Sequence, residues 1–283
     1  MSLVPQTYPF GWDPDADGFR GHVFVSTDNS TVIVSIKGTS AFWLVGDGGP
    51  TVKKDKLNDN LLFSCCCAKV GPTWTPVCDC HSGGYNCDQS CLEKSLVEDS
   101  LFYPIGVNLY NNVTYLYPHA NIWVIGHSLG GALASLVGVT FGAPVVAFEA
   151  PGEKLAAARL HINLPVLVFE YLGSHQCTYL RTFYQPSTQH ITHVYNTGDP
   201  IPMGVCNGVS STCALGGYAL ESRCHLGNVA LYDTVTKLKW SVAIGNHGIK
   251  AIVDLLAKDF DPDNNISVPP AEPQKDCVVS ATM

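Results

Sequence analysis

The sequence predicts an α/β protein with a mainly parallel central sheet flanked by helices and a disulfide-rich insertion. Strand-like apolar runs alternate with segments whose apolar residues recur at helical spacing, the pattern of a parallel sheet covered by its own crossovers. A Gly-x-Ser-x-Gly turn, Gly126-His127-Ser128-Leu129-Gly130, separates one such strand from one such helix. Seven of the 12 cysteines crowd into 65–91, a density that marks an insertion. The 283 residues are 46% apolar and only 14% charged, so residues 1–260 can bury one large core. A polar, proline-rich tail over 261–283 is expected to be disordered apart from Cys277.

Taken in order, residues 8–20 read as a loop with Tyr8, Phe10 and Trp12, leading into a strand at Gly21–Val25. A turn at 26–30 returns the chain as a β-branched strand, Thr31–Lys37, which stops at Gly38-Thr39-Ser40. The N–H of Thr39 would face the serine turn if the two strands lie close, supplying half of an oxyanion hole. Residues 41–62 mix Phe42, Trp43, Leu44 and three glycines with Lys53, Lys54, Asp55 and Lys56. They are expected to form a mobile lid or lipid-contact loop.

The cysteine block follows: Cys65, Cys66, Cys67, Cys78, Cys80, Cys87 and Cys91, with Cys206, Cys213 and Cys224 around a second irregular region. No paired C-x2-C knuckles appear, so these are candidate disulfides and no metal is expected. Ten cysteines allow up to five bridges, whose connectivity stays open. A helix is expected within 92–117, and a strand at 122–125 leads into the serine turn.

Glycine is needed at 126 and 130 because a side chain there would collide with the neighbouring strand and helix. Ser128 is thereby held above the sheet edge, at a helix start whose free N–H groups favour an oxyanion. Beyond the helix, 143–150 reads as a strand, 153–160 as a short helix and 190–196 as a strand. That strand runs into Thr197-Gly198-Asp199-Pro200, placing a carboxylate where a triad acid should project. A last strand at 240–244 is expected before Gly245-Asn246-His247-Gly248 and an amphipathic helix at 249–260. The chain order Ser128, Asp199, His247 is that of nucleophile, acid and base. His127 should point away from the site, and His193, His225, Asp233 and Asp254 are rival histidines and acids without the right context.

Net charge is −8 at neutral pH, which argues against nucleic acid as a partner. Protonating all ten histidines would take the sum to −8 + 10 = +2, reversing the surface field in an acidic compartment. No apolar run reaches the ~18 residues that cross a bilayer. The cysteines and the sequons at Asn29, Asn112 and Asn265 nevertheless suit an oxidising, glycosylating lumen. A secretory signal is therefore expected upstream of Met1.

G-H-S-L-G-G, K-G-T-S, G-D-P-I-P and N-H-G-I, in this order, resemble the class 3 lipase family, whose fold is that of the α/β-hydrolases. The block S-C-C-C-A-K-V with C-D-C-H-S-G-G-Y-N-C-D-Q-S-C-L-E is similar to a narrower group, the fungal autophagy-related vacuolar lipases, over about residues 8–260. The resemblance implies a glycosylated type II membrane protein that reaches the vacuole through the endoplasmic reticulum and multivesicular bodies. There it would hydrolyse membrane lipids of autophagic bodies and intralumenal vesicles. It also implies Ser128 as nucleophile, Asp199 as acid, His247 as base and the Thr39 and Leu129 positions as the oxyanion hole. No cofactor is implied. The expected partners are membrane lipids, phospholipid or alternatively triacylglycerol, contacted at a membrane surface.

Two departures stand out. The family has an N-terminal anchor that these residues lack, and Val166–Gln185 interrupts an otherwise continuous stretch, as a translated intron would. The alternatives are a secreted carboxylesterase or feruloyl-type esterase, or an inactive lipid-binding product.

Overall fold

The structure is a computed structural model that describes residues 6–13, 17–40, 51–66, 68, 76–83, 86–98, 102–162, 188–208, 210–258, 268–275 and 277. Eight strands form one sheet in chain order: β1 (Gln6–Phe10), β2 (Gly21–Val25), β3 (Thr31–Ile36), β4 (Asn121–His127), β5 (Val145–Phe148), β6 (Ile191–Asn196), β7 (Asn228–Tyr232) and β8 (Glu272–Pro273). From β3 to β7 every pairing is parallel, and the β1–β2, β2–β3 and β7–β8 pairings are antiparallel.

Described helices intervene: α1 (Val52–Phe63), α2 (Gln89–Glu98) and α3 (Phe102–Leu116) before β4, then α4 (Leu129–Phe141), α5 (Lys154–Arg159), α6 (Thr212–Leu215), α7 (Thr234–Leu238) and α8 (Ile249–Lys258). Parallel neighbours require such crossovers. The register aligns Ile36 with Gly126, His127 with Phe148 and Phe148 with Val194. The carboxyl ends of four adjacent strands therefore meet at one rim.

Helix α4 is apolar on all sides, with Leu129, Leu133, Leu136 and Val137 each at most 1% exposed. A helix of that composition must be enclosed. The strands cover one side and α3 the other, where Tyr110 stacks on Phe141 at 4.5 Å. On the opposite face of the sheet, Ile252 and Leu255 of α8 pack with Phe148, Val194 and Tyr232. Trp123 on β4 is left 41% exposed, because the opposite-face cluster gathers on β5 to β7.

Several expectations are corrected. Residues 6–10 form the edge strand β1 rather than a loop, with Pro9 tolerated because an edge needs only one hydrogen-bonded side. Residues 240–243 form no strand: the Ala243 N–H donates to the Gly198 carbonyl at 3.0 Å, so this segment docks on a loop instead of a ladder.

Within the stretch expected to be a lid, 41–50 lie outside the described residues. Residues 52–62 belong to α1, whose Asp55, Asn58, Asp59 and Asn60 are buried. Within the tail expected to be disordered, residues 268–275 are ordered. Strand β8 pairs with β7, Cys277 is bonded to Cys224, and the Gln274 side chain accepts the His225 N–H at 2.9 Å.

The other described bridges are Cys66–Cys87, Cys80–Cys91 and Cys206–Cys213, and Cys78 is also disulfide-bonded. Cys65, expected in a bridge, is a free thiol, pushed up to about 11 by burial and then by Glu221. Its N–H donates to the Glu221 carboxylate at 2.6 Å, so hydrogen bonding holds this position instead. Cys67, the insertion at 166–185 and Asn265 lie outside the described residues. Asn29 and Asn112 are exposed, the first on a hairpin turn and the second on α3. Among the described residues, no helix is long and apolar enough to cross a membrane.

Candidate active site

The local chemistry of β4 and α4 dictates the turn between them. Ser128 stands at φ 57°, ψ −132°, a conformation that L side chains avoid, and its N–H donates to the Phe148 carbonyl at 2.9 Å. A Cβ at Gly126 would lie 2.2 Å from the Gly130 carbonyl oxygen, and one at Gly130 would lie 2.3 Å from the Ile36 carbonyl oxygen. Both glycines are thus required by close backbone approach. Gly38, just past β3, is under the same constraint, 2.3 Å from the His127 carbonyl. The segment carrying Thr39 is pressed against the turn in this way.

Three side chains from separate parts of the chain converge above this rim. His247 Nε2 is 2.8 Å from Ser128 Oγ, and His247 Nδ1 is 2.6 Å from Asp199 Oδ2. Asp199 is fully buried and His247 is 2% exposed, so water does not compete for these bonds. The second Asp199 oxygen accepts the Ile201 N–H at 3.0 Å. His247 is delivered by a 3-10 turn, Ile244–His247, which is anchored where Asn246 Nδ2 donates to the Gly198 carbonyl at 3.0 Å. A hydroxyl, an imidazole and a carboxylate so arranged can transfer a proton from oxygen to nitrogen while the carboxylate steadies the imidazolium.

A narrow cleft over Ser128 is lined on its polar side by Thr39, Asp59, His127 and His247. Pro151, Ile201, Cys213, Tyr218 and Leu220 line the remainder. Leu129 stands at the first position of α4, where the N–H has no intrahelical acceptor.

The Thr39 hydroxyl donates to Asp59 Oδ2 at 2.6 Å, and the Asp59 carboxyl is held well above the usual carboxylate range by burial. Sequence reasoning missed Asp59, which lay inside the segment taken for a lid. It also misdirected His127. That imidazole lines the cleft with its ring 5.0 Å from that of His247, and burial, then His247, push it down to about 3. No side chain pairs with its buried Nε2 among the described residues.

The rival residues lie elsewhere. His193 sits on β6 against Glu153 at 2.9 Å, fully buried, and His225 Nε2 donates to the Ala150 carbonyl at 3.0 Å. Burial, then His193, push His225 down to about 4. Asp233 caps α7 by accepting the Thr236 N–H at 3.1 Å, and Asp254 pairs with Lys250 on the surface at 2.7 Å.

Comparison with known proteins places this arrangement among relatives. Residues 65–157, which include the serine turn, match the family model described as lipase (class 3). A protein of Cryptococcus neoformans var. neoformans serotype D named "putative lipase ATG15" is 55% identical over 255 residues, 90% of this chain and 46% of its own. Proteins of the same name from Mycosarcoma maydis and Debaryomyces hansenii are each 50% identical, over 90% and 95% of this chain and 47% and 40% of theirs. The chain thus spans about half the length of the curated relatives it matches. Among solved structures, the Lip2 lipase of Yarrowia lipolytica aligns over 80% of this chain and 66% of its own at 17% identity, with a TM-score of 0.37. The family match spans the turn that carries Ser128, and the likeness to the proteins named putative lipase runs over 90% or more of this chain, so its similarity to class 3 lipases extends well beyond residues 65–157.

Proposed function

We propose that this chain is the catalytic part of a serine ester hydrolase acting on membrane lipids. Its substrates would be phospholipids, or alternatively triacylglycerols, in autophagic bodies and intralumenal vesicles delivered to the vacuole. The observation that carries the proposal is the continuous hydrogen-bonded line from Ser128 Oγ through His247 to buried Asp199. The described disulfides and the name shared by the relatives support a lumenal, vacuolar setting.

In the proposed reaction, Ser128 Oγ attacks the ester carbonyl and gives its proton to His247 Nε2. Asp199 accepts the His247 Nδ1–H, which fixes the tautomer and stabilises the imidazolium. The N–H groups of Leu129 and Thr39 hold the oxyanion, each worth about 3 kcal/mol in the transition state. The imidazolium then protonates the departing alcohol. Water, deprotonated by the same imidazole, releases the fatty acid.

A serine-directed fluorophosphonate should label the purified chain, and labelling should rise when phospholipid vesicles are added. Ser128→Ala should abolish labelling and lower ester turnover by about a million-fold if the triad acts as one unit. Turnover above a few per cent of the wild-type rate in that variant would sink the assignment. Activity on soluble short-chain esters alone, with none on vesicles, would keep the nucleophile and discard the lipid.

A further inference from the structure

One buried carboxyl beside the site has no part in the steps above. Glu149 follows β5 directly and is fully buried. It holds φ at 45°, a backbone conformation suited to glycine, so a side chain is retained there at a conformational cost. Its neighbour Phe148 accepts the Ser128 N–H, which puts Glu149 one peptide from the elbow.

Glu149 Oε1 accepts the Asn196 Nδ2–H at 2.8 Å and Oε2 faces the Asn196 N–H at 3.3 Å. The carboxyl is also hydrogen-bonded to the side chain of Asp199. Two carboxyl groups sharing a dry site cannot both be ionised, so one holds the proton. Burial and then the Asp199 charge push Glu149 well above the usual carboxylate range. Tyr195 on β6 also feels its charge, the hydroxyl being pushed up by burial and then by Glu153 and Glu149.

We propose that Glu149 is a positioning residue: a neutral carboxylic acid that donates its O–H to Asp199 and so fixes the plane in which Asp199 accepts from His247. The bond also draws charge from Asp199, which limits how tightly the imidazolium is held. The inference rests on the ester-hydrolase reading of the same site.

The test compares wild type, Glu149→Gln and Glu149→Leu on a soluble p-nitrophenyl ester and in the pH dependence of fluorophosphonate labelling. Glutamine keeps the two shorter side-chain bonds, since its NH2 donates to Asp199 and its carbonyl accepts from Asn196 Nδ2, and loses the 3.3 Å contact to the Asn196 N–H, so kcat should stay within about threefold of wild type. Leucine fills the space but donates nothing. Its kcat should fall on the order of tenfold to a hundredfold with KM little changed, and the acid limb of labelling should move to higher pH.

A leucine variant as active as wild type, or a glutamine variant that loses what leucine loses, would overturn the proposal. Should the leucine variant fail to fold, the glutamine variant decides alone: retained kcat and an unmoved acid limb support the role, and their loss overturns it. Wild type that neither labels nor turns over would overturn the hydrolase reading first, and this inference with it.

Discussion

Ser128 and Glu149 both carry side chains at positive φ, 57° and 45°, on either side of the same pair of strand ends. Each gives up on the order of 1–2 kcal/mol of backbone preference to place a polar group. The proton on Glu149 has a thermodynamic signature that turnover does not report. Folded Glu149 keeps its proton above the pH at which the unfolded residue, near 4.5, releases it. Its contribution is therefore complete at low pH and is lost as pH rises. His225 has the opposite sign: the folded value of about 4 lies below the unfolded 6.5, so its contribution is present above 6.5 and lost as pH falls toward 4. Glu149→Gln should accordingly raise Tm relative to wild type at pH 7, with the gap closing near pH 4. A gap that stays constant across that range, measured by differential scanning calorimetry, would mean that Glu149 is ionised in the folded protein.

At the level of single elements, α1 was the least legible from sequence. Lys53, Lys54, Asp55, Lys56, Asn58, Asp59 and Asn60 make it polar along its length, and polarity without an apolar stripe reads as exposed loop. Asp55, Asn58, Asp59 and Asn60 are nevertheless buried, because distant segments bring partners to them. Asp55 accepts the Ser40 N–H at 2.9 Å and faces Arg20 at 3.6 Å, while Asn60 accepts the Ala219 N–H at 2.8 Å. Helix α1 thereby holds the segment that presents Thr39, at Thr39 and Ser40, and ties it to Ala219. Replacing Asp59 with leucine removes the acceptor of the Thr39 hydroxyl and should lower kcat about tenfold, with stability measured in parallel. Asp59→Asn retains a carbonyl acceptor and should keep most of the rate. Equal losses in the two variants would detach Asp59 from the placement of Thr39.

Over the whole molecule, residues 272–273 of the tail cover one edge of the sheet. Strand β8 covers the free edge of β7, and the Cys224–Cys277 bond ties residues 53 apart in sequence at that edge. Closing so long a loop restricts the unfolded chain, so Cys277→Ser should cost about 2–4 kcal/mol in denaturant unfolding. Strand β7 lies three places from β4, and so the labelling rate of Ser128 at 25 °C should be unchanged. A stability unchanged by that substitution would show that strand pairing alone holds the tail. The charge reversal expected in acid is also not reached through the histidines alone. His127 and His225 are pushed down to about 3 and about 4, so at pH 5 the histidine contribution is at most eight of ten.

The sequence by itself determined the strands and helices whose signals are local: the hairpin at 21–36, the strand, turn and helix around Ser128, and the order of hydroxyl, carboxylate and imidazole along the chain. Close backbone approach demands glycine and burial demands apolar residues, and both demands are written position by position. Tertiary structure alone decided which cysteine bonds Cys224, that Asp55 and Asp59 are buried, and that His127 faces the cleft and Glu149 faces Asp199. The free energy of a buried polar group depends on its partner. When that partner is tens of residues away, periodicity and composition carry no trace of it.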